Sequence, residues 1–375
     1  MKIAGIIAEY NPFHSGHKRH VELTRESGAS HIVAVMSGSM VQRGEVAVLD
    51  PHERARAAVA GGVDLVLELA PQFALGAARD FARAGVGILS RLGCVNVLSF
   101  GAECPDVEAL KNALSELESG ELEIKALMSR GKTYPQAAAE ICKSAAKIIS
   151  GQNNTLALEY LRALRGSGIS PLAVERTVMH DAEKPKNGFA SAAYIRELLR
   201  RGENAEEYLG AQPDENALSF CENGERAILF RLSQLGKEDF KNTPYCKELA
   251  GRLYEASRRA ESLDEIYRLV KPRNVTQARV RRAVMLAALG ITLDDVKQPT
   301  FARVLALNEK GAEILHLCRK TADIPLGGSL SALSRISPEA KRQAEIIELA
   351  SRLQQLCRKT AQGISEYRKS ARMIG

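Results

Sequence analysis

The first hundred residues alternate between short apolar runs and longer amphipathic stretches. KIAGIIA (2–8), HIVAVMSG (31–38), VDLVLEL (63–69) and VNVLSF (95–100) are brief, rich in β-branched residues and flanked by turn formers, which predicts buried strands. Between them, 17–26, 51–61 and 76–92 carry helical patterning. In the first of these, His17, His20, Val21 and Thr24 share one face, and Ser27-Gly28 stops the helix. Strand, helix, strand in that order implies parallel pairs with right-handed crossovers. The expected fold class is therefore α/β, a Rossmann-like parallel sheet with helices on both faces. Helices dominate 106–165, PLAVERTV (171–178) predicts another strand, and SAAYIRELL (191–199) a helix.

After residue 200 the pattern changes to charged, helical segments with few strand-like runs. The polar stretch ENAEEYLGAQPDENA, with its Gly and Pro, marks a boundary near 200–215. The chain is then expected to divide into a catalytic unit over 1–205 and a mainly helical unit over 206–375, which 375 residues can supply. LCRKTA occurs at 317–322 and again at 356–361, but the flanks differ, so no repeat architecture follows.

Apolar residues at 45% and charged ones at 26% fit a globular chain and exclude disorder as its basis. The net charge of +7 is placed unevenly: Lys+Arg against Asp+Glu is 23 to 22 over 1–200 and 29 to 23 over 201–375. Residues 251–282 hold nine basic and four acidic side chains, and 351–375 six and one. Such clusters suit a nucleic acid, although a solvated helix face gives the same pattern. Cysteines 94, 104, 142, 221, 246, 318 and 357 lie at least ten residues apart, which excludes a C-x-x-C zinc ribbon and points to reduced thiols. MKIAGIIAEY lacks the apolar length of a signal peptide, and Asp64 and Glu68 interrupt the later apolar region at 57–78. A cytoplasmic protein without a membrane span is expected.

AEYNPFHSGHKRH (8–20) holds three of the chain's seven histidines, His14, His17 and His20, directly behind the first strand. A loop leaving a parallel strand and starting a helix is where α/β sheets bind ligands, and the free N–H groups there attract phosphate. Gly16 lets the backbone approach, His14 and His17 reach the phosphates, and Lys18 and Arg19 add positive field. A lone histidine is more often a half-buried packing residue, but H-x-G-H fixed between a first strand and a first helix favours the ligand reading. For His20, packing and ligand contact weigh equally.

The strand, N-P-F-H-S-G-H, the helix and S-A-A-Y-I-R at 191–196 together resemble the HIGH-type nucleotidyltransferase superfamily. More narrowly, the chain resembles the bacterial tRNA(Met) cytidine acetate ligase family along nearly its whole length. GIIAEYNPFHSGHKRH, VMSGSMVQRGEVAVLD, GVDLVLELAP, LSFGAE, QNNTLALEYLRAL, FASAAYIREL, VTQARVRRAVMLAALGI and RVLALNEKGAEIL carry that likeness. The resemblance implies that acetate and ATP give acetyl-adenylate and pyrophosphate, and that the acetyl group passes to the wobble cytidine of elongator tRNA(Met) as N4-acetylcytidine. It implies a catalytic role for His14 and His17, and ATP contacts from Ile7, Ala8, Glu9, Tyr10, Asn11, Pro12, Phe13, His14, Ser15, Gly16, His17, Lys18, Arg19 and His20. Gly101, Asn153, Arg176, Ser191 and Arg196 complete the ATP set, with Mg²⁺ shielding the triphosphate and no metal held by the protein itself. Gln152 stands where the family usually has proline and Ala102 where it usually has serine, which leaves open whether Asn153 or Asn154 makes the contact.

Thr276 should cap a helix that presents Arg279, Arg281 and Arg282 to the tRNA backbone, Arg279 and Arg282 on one face. Gln42, Arg43 and Gly44 belong to the acetate side, the tRNA side or neither, and Glu9, His180 and Asp181 are open candidates for assisting acyl transfer. Two rival readings share the H-x-G-H motif: an adenylyltransferase of a small phosphorylated metabolite, and a non-enzymatic RNA-binding protein with a relic pocket. No protein partner is legible.

Overall fold

The computed structural model describes all residues except 133, 143–144, 150, 176–184, 186–187, 273–274, 362 and 375. The apolar runs become strands β1 (Ile3–Ala8), β2 (His31–Ser37), β3 (Leu65–Leu69), β4 (Val97–Ala102) and β5 (Ser170–Glu175). The intervening amphipathic stretches become α1 (Ser15–Glu26), α2 (Pro51–Ala60) and α3 (Ala78–Arg91), followed by α4 (Gln152–Ala163) and α5 (Ala192–Arg200). All five strands are parallel, in the order β3-β2-β1-β4-β5. Successive residues feed opposite faces, as strand geometry requires: Ile3, Ile7, Val33 and Val35 pack under α3 and α4, whereas Ala4, Ile6, Ile32 and Ala34 pack against α1 and α2.

The second half is mainly helical, with α6 (Gln277–Ala288) buried at its centre. It is not, however, a helical appendage set apart from the sheet. ARVLAL forms β6 (Ala302–Leu307), which runs antiparallel to β3 and carries the short strands β7 (Leu326–Gly327) and β8 (Arg372–Met373) on its outer edge. The complete order is β8-β6-β3-β2-β1-β4-β5, with β7 beside β6. An exposed β3 edge would present unpaired backbone groups, and β6 covers it. Phe301, Val304 and Ile347 join the same apolar cluster as Leu65 and Leu67, so a division near residue 205 cuts through one core.

β6 also brings a charge into that core. Arg303 is 1% exposed and reaches Glu68 of β3 at 3.2 Å and Glu366 of the C-terminal segment at 2.9 Å. Glu366 in turn receives Lys369 at 2.7 Å and lies 3.3 Å from His52 Nε2. A buried guanidinium is tolerable only with such partners. Among the described residues no helix is long and apolar enough to cross a membrane, and the seven cysteines are free.

Candidate active site

The chain runs from β1 to β2 and β3 on one side and returns to β4 and β5 on the other, so the sheet reverses direction between β1 and β4. Open α/β sheets bind ligands at such a switch point, beyond the carboxyl ends of the strands. A cavity of about 280 Å³ lies there, lined by the end of β1, by Phe100 and Gly101 of β4, and by the loops that follow. Gly101 sits inside β4, paired with Val174, rather than after the strand as the apolar run suggested.

Four helices begin at this cavity: α1 with His14, Gly16 and His17, α3 with Ala78, α4 with Asn153, and α5 with Ser191 and Ala192. Each N-terminus carries roughly half a positive charge in its unpaired N–H groups. Arg43 and Arg196 line the cavity as well. The Arg196 guanidinium lies below its usual pKa, first because it is buried and then because Arg43 repels it. Both effects make an anion welcome.

His14 is the N-cap of α1: its Nδ1 accepts from the Gly16 amide at 3.0 Å, which starts the helix two residues earlier than the apolar spacing suggested. With Nδ1 as acceptor, the neutral ring carries its proton on Nε2 and can donate from there. The His17 ring lies 3.9 Å from that of His14, centroid to centroid, and Tyr10 stands edge-on to it at 4.9 Å. Tyr10 is buried at φ +46°, and burial raises its hydroxyl above the ordinary phenol value, keeping it protonated.

Gly16 has a reason the motif alone does not show. A Cβ there would lie 2.9 Å from His14 Cε1, so any side chain pushes on the capping ring. Gly16→Ala should leave the unfolding midpoint nearly unchanged, because alanine suits a helix, yet slow the adenylation that the resemblance implies about tenfold or more by displacing His14. Paired thermal melts and pyrophosphate-release rates check this.

The 7–20 segment does not line the cavity throughout. Phe13 is 8% exposed and packs in the core beside Gly61, Pro12 is buried, Lys18 is exposed, and Ser15 is not among the residues that line the cavity. Ile7, Ala8, Glu9, Tyr10, Asn11, Arg19 and His20 do line it. Arg19 is paired with Glu22 and Glu26 at 3.3 and 2.9 Å, and His20 Nε2 meets Ser99 Oγ at 2.9 Å, tying α1 to β4.

The paired asparagines divide their work. Asn154 Oδ1 accepts from the amides of Glu103 and Cys104 at 3.0 and 3.1 Å, holding the loop after β4. Asn153 lines the cavity, and its Nδ2 donates to Glu103 Oε1 at 2.6 Å. Burial would raise the Glu103 carboxyl, but bonds from the Asn153 side chain and from the Asn153 and Asn154 amides outweigh it and hold the pKa low. Ser191 caps α5 by accepting from the Tyr194 amide at 3.1 Å, and Arg196 donates to the Asn11 carbonyl at 2.8 Å. Arg176, His180 and Asp181 lie outside the described residues.

Arg54 of α2 supports the site although it belongs to none of its motifs. Fully buried, it donates to the carbonyls of Leu49 at 3.0 Å, Glu9 at 2.6 Å and Gly38, and burial pushes its pKa down to about 10. One side chain thereby fixes the loops after both β1 and β2. Helical spacing carried a signal: Arg54 falls on the stripe of Pro51, Ala55 and Ala58, while Arg56 does not.

The arginines expected on the tRNA are placed differently. Arg281 pairs with Glu45, and Arg282 donates to the Gln42 carbonyl at 3.3 Å, its pKa lowered by burial. Both bind the hairpin Met40–Val41/Glu45–Val46, whose Gln42 and Arg43 line the cavity. Gly44, at φ +82°, lies so close to α6 that a Cβ would meet Arg281 C and Arg282 N at 2.5 Å. Thr276 caps α6 as expected, and Arg279 pairs with Glu248 at 3.0 Å on the exposed side. Among the described residues, no group of three or more His, Cys, Asp or Glu side chains is placed to hold a metal ion.

Residues 1–369 match the family HIGH Nucleotidyl Transferase. The chain is 32% identical to the tRNA(Met) cytidine acetate ligase of Acetivibrio thermocellus over 96% of each chain. It is 33% identical to that of Clostridium kluyveri, over 87% of this chain and 89% of the relative. The chain belongs to the tRNA(Met) cytidine acetate ligase family of HIGH nucleotidyl transferases. Two solved structures of Thermotoga maritima TmcAL, one apo and one bound with alpha-thio ATP, are similar to it with TM-scores of 0.89 and 0.86, at 26% identity and over all of both chains. For this member of the tRNA(Met) cytidine acetate ligase family, the likeness read from NPFHSGH and SAAYIR therefore extends across the whole fold, β6 and the helical half included.

Proposed function

We propose that this protein activates acetate with ATP and transfers the acetyl group to the wobble cytidine of elongator tRNA(Met). The observation that carries the reading is the convergence of four helix N-termini, three imidazoles and three arginines on one cavity at the switch point. Relatives named tRNA(Met) cytidine acetate ligase over nearly the full length, and a neighbour that binds an ATP analogue, support it.

In the first step an acetate oxygen attacks the α-phosphorus, the bond to the β-phosphate breaks, and pyrophosphate leaves. No protein nucleophile is needed, so positioning and charge stabilisation do the work. His14, through Nε2–H, and His17 stabilise the charge that builds on the α-phosphate. Arg43, Arg196 and the start of α5 hold the distal phosphates, while Gly101 and Asn153 border the nucleoside. Mg²⁺ brought in with the triphosphate substrate would shield its negative charge. In the second step the cytidine N4 attacks the acyl carbon, the C–O bond to AMP breaks with its electron pair going to the phosphate oxygen, and one N4 proton passes to water. Arg279, on the exposed side of α6, is the remaining basic contact for the tRNA backbone, whereas Arg281 and Arg282 serve the hairpin. The free cysteines suit the cytoplasm.

Incubation with ATP, labelled acetate and unmodified tRNA(Met) tests the reading. Acetate-dependent pyrophosphate release and labelled cytidine are expected. AMP transferred to a phosphorylated metabolite, or RNA binding without pyrophosphate release, would replace it with one of its rivals.

A further inference from the structure

A second cavity, of about 510 Å³, lies between the hairpin, α5 and the helical half, and it adjoins the first because Arg43 and Arg196 line both. Its chemistry differs. The first cavity combines helix N-termini with three arginines, three histidines and only two carboxylates, Glu9 and Glu175, which suits a triphosphate; in the second, four arginines are matched by four carboxylates, which does not attract a polyanion. Three of those carboxylates are engaged: Glu222 pairs with Arg200 at 3.1 Å, Glu45 with Arg281, and Glu225 accepts from the Leu263 amide at 2.7 Å. The carboxylate of Asp264, an exposed residue, makes no side-chain hydrogen bond or ion pair among the described residues.

The walls also carry two cation–aromatic pairs. The Arg200 guanidinium lies 4.8 Å from the Phe220 ring centroid, and that of Arg281 lies 5.4 Å from the Tyr267 ring centroid. Aromatic rings and guanidinium planes are the surfaces on which unpaired bases stack, and a carboxylate is the acceptor suited to an exocyclic amine or a ribose hydroxyl. A neutral, planar, donor-bearing ring is therefore the ligand that this cavity matches.

We propose that the second cavity receives the acceptor nucleotide, its base stacked on the Arg200–Phe220 and Arg281–Tyr267 pairs and its donors accepted by Asp264. This rests on the ligase reading above and adds where the second substrate sits. The base enters from the helical half, and its amine reaches the acyl group at the wall shared by the cavities. There the N4–C bond forms, the acyl C–O bond breaks, AMP departs into the first cavity and the N4 proton passes to water. Arg281 then has two roles, anchoring the hairpin through Glu45 and flooring the base slot.

Asp264→Asn and Phe220→Leu test the proposal, both mild changes: Asp264 is exposed, and leucine keeps an apolar side chain where the half-buried Phe220 packs beside the cluster of Val48 and Leu218. Three quantities are read on the full chain: acetate-dependent pyrophosphate release without RNA, single-turnover acetyl transfer from adenylate formed beforehand, and competition by an anticodon hairpin carrying C or U at the wobble position. The expected result is pyrophosphate release within about twofold of wild type, transfer slowed about tenfold in each variant, and a preference for C over U that wild type shows and Asp264→Asn loses. The C/U preference separates a base contact from a general loss of packing. Wild-type transfer with the preference intact in both variants overturns the slot alone, and so does equal loss of pyrophosphate release and transfer. Failure of the wild-type chain to label RNA at all would remove the ligase reading and the slot together.

Discussion

Replacing His17 with alanine is expected to lower acetate-dependent pyrophosphate release by about 100-fold or more, the usual consequence of removing one donor from a developing oxyanion. The fold should tolerate the change. His17 is half-buried and lies after the cap, and alanine is the better helix former. The affinity for tRNA should stay within about twofold, because the exposed side of α6 belongs to the helical half. His14→Ala is a poorer probe, since it also removes the N-cap of α1, worth about 1 kcal/mol. Initial rates of pyrophosphate release, beside filter binding of tRNA, separate these effects. A His17→Ala protein that still forms adenylate at the wild-type rate would exclude the imidazole from the first step.

Arg303→Met should destabilise the fold more than any of the active-site changes. It leaves the carboxylates of Glu68 and Glu366 buried without their shared cation, and breaking such a network costs about 3–5 kcal/mol. For a chain of this size the melting temperature should fall by roughly 4–6 °C. Adding Glu68→Gln to Arg303→Met should recover part of the loss, since one stranded charge is then gone. The acid side carries a second signature. Burial would raise the Glu366 carboxyl, but its bond with His52 and the charges of Arg303 and Lys369 prevail and hold it well below its ordinary value of 4.5. A depressed carboxyl stabilises the fold fully above that value and loses its contribution as pH falls below it. The stability gap between wild type and Glu366→Gln should therefore be constant above about pH 5 and shrink below it. Urea titrations read both effects, and a loss under about 1 kcal/mol for Arg303→Met would mean that the network is not intact in solution.

The first four strands were legible because both faces of the sheet are buried there and each reads as a nearly unbroken apolar run, whereas β5 lies half-buried at the edge. The sixth was not. ARVLAL has strand composition, but Arg303 interrupts it and its partner β3 lies more than two hundred residues earlier, so nothing local announced the pairing. A Gly and Pro stretch after residue 200 likewise looked like a boundary, although the core continues across it. At the candidate site, H-x-G-H between strand and helix pointed to a stretch whose His14, Gly16 and His17 line a cavity. The sequence showed that Gly16 was small but not that the ring of His14 requires it. The basic run at 279–282 illustrates the limit of charge reading: composition does not say whether a guanidinium faces solvent or protein, and here Arg281 and Arg282 turn inward to the hairpin. Asn153 and Asn154 could be told apart only by the loop that Asn154 holds.

The central claim is that the triphosphate binds where β1 gives way to α1. A crystal structure of this protein with a non-hydrolysable ATP analogue tests it most directly. The α-phosphate is expected within hydrogen-bond distance of His14 Nε2 and of the His17 ring, with the β- and γ-phosphates at Arg43, Arg196 and the start of α5. A nucleotide seated in the second cavity or elsewhere, with both imidazoles turned away from it, would contradict the claim.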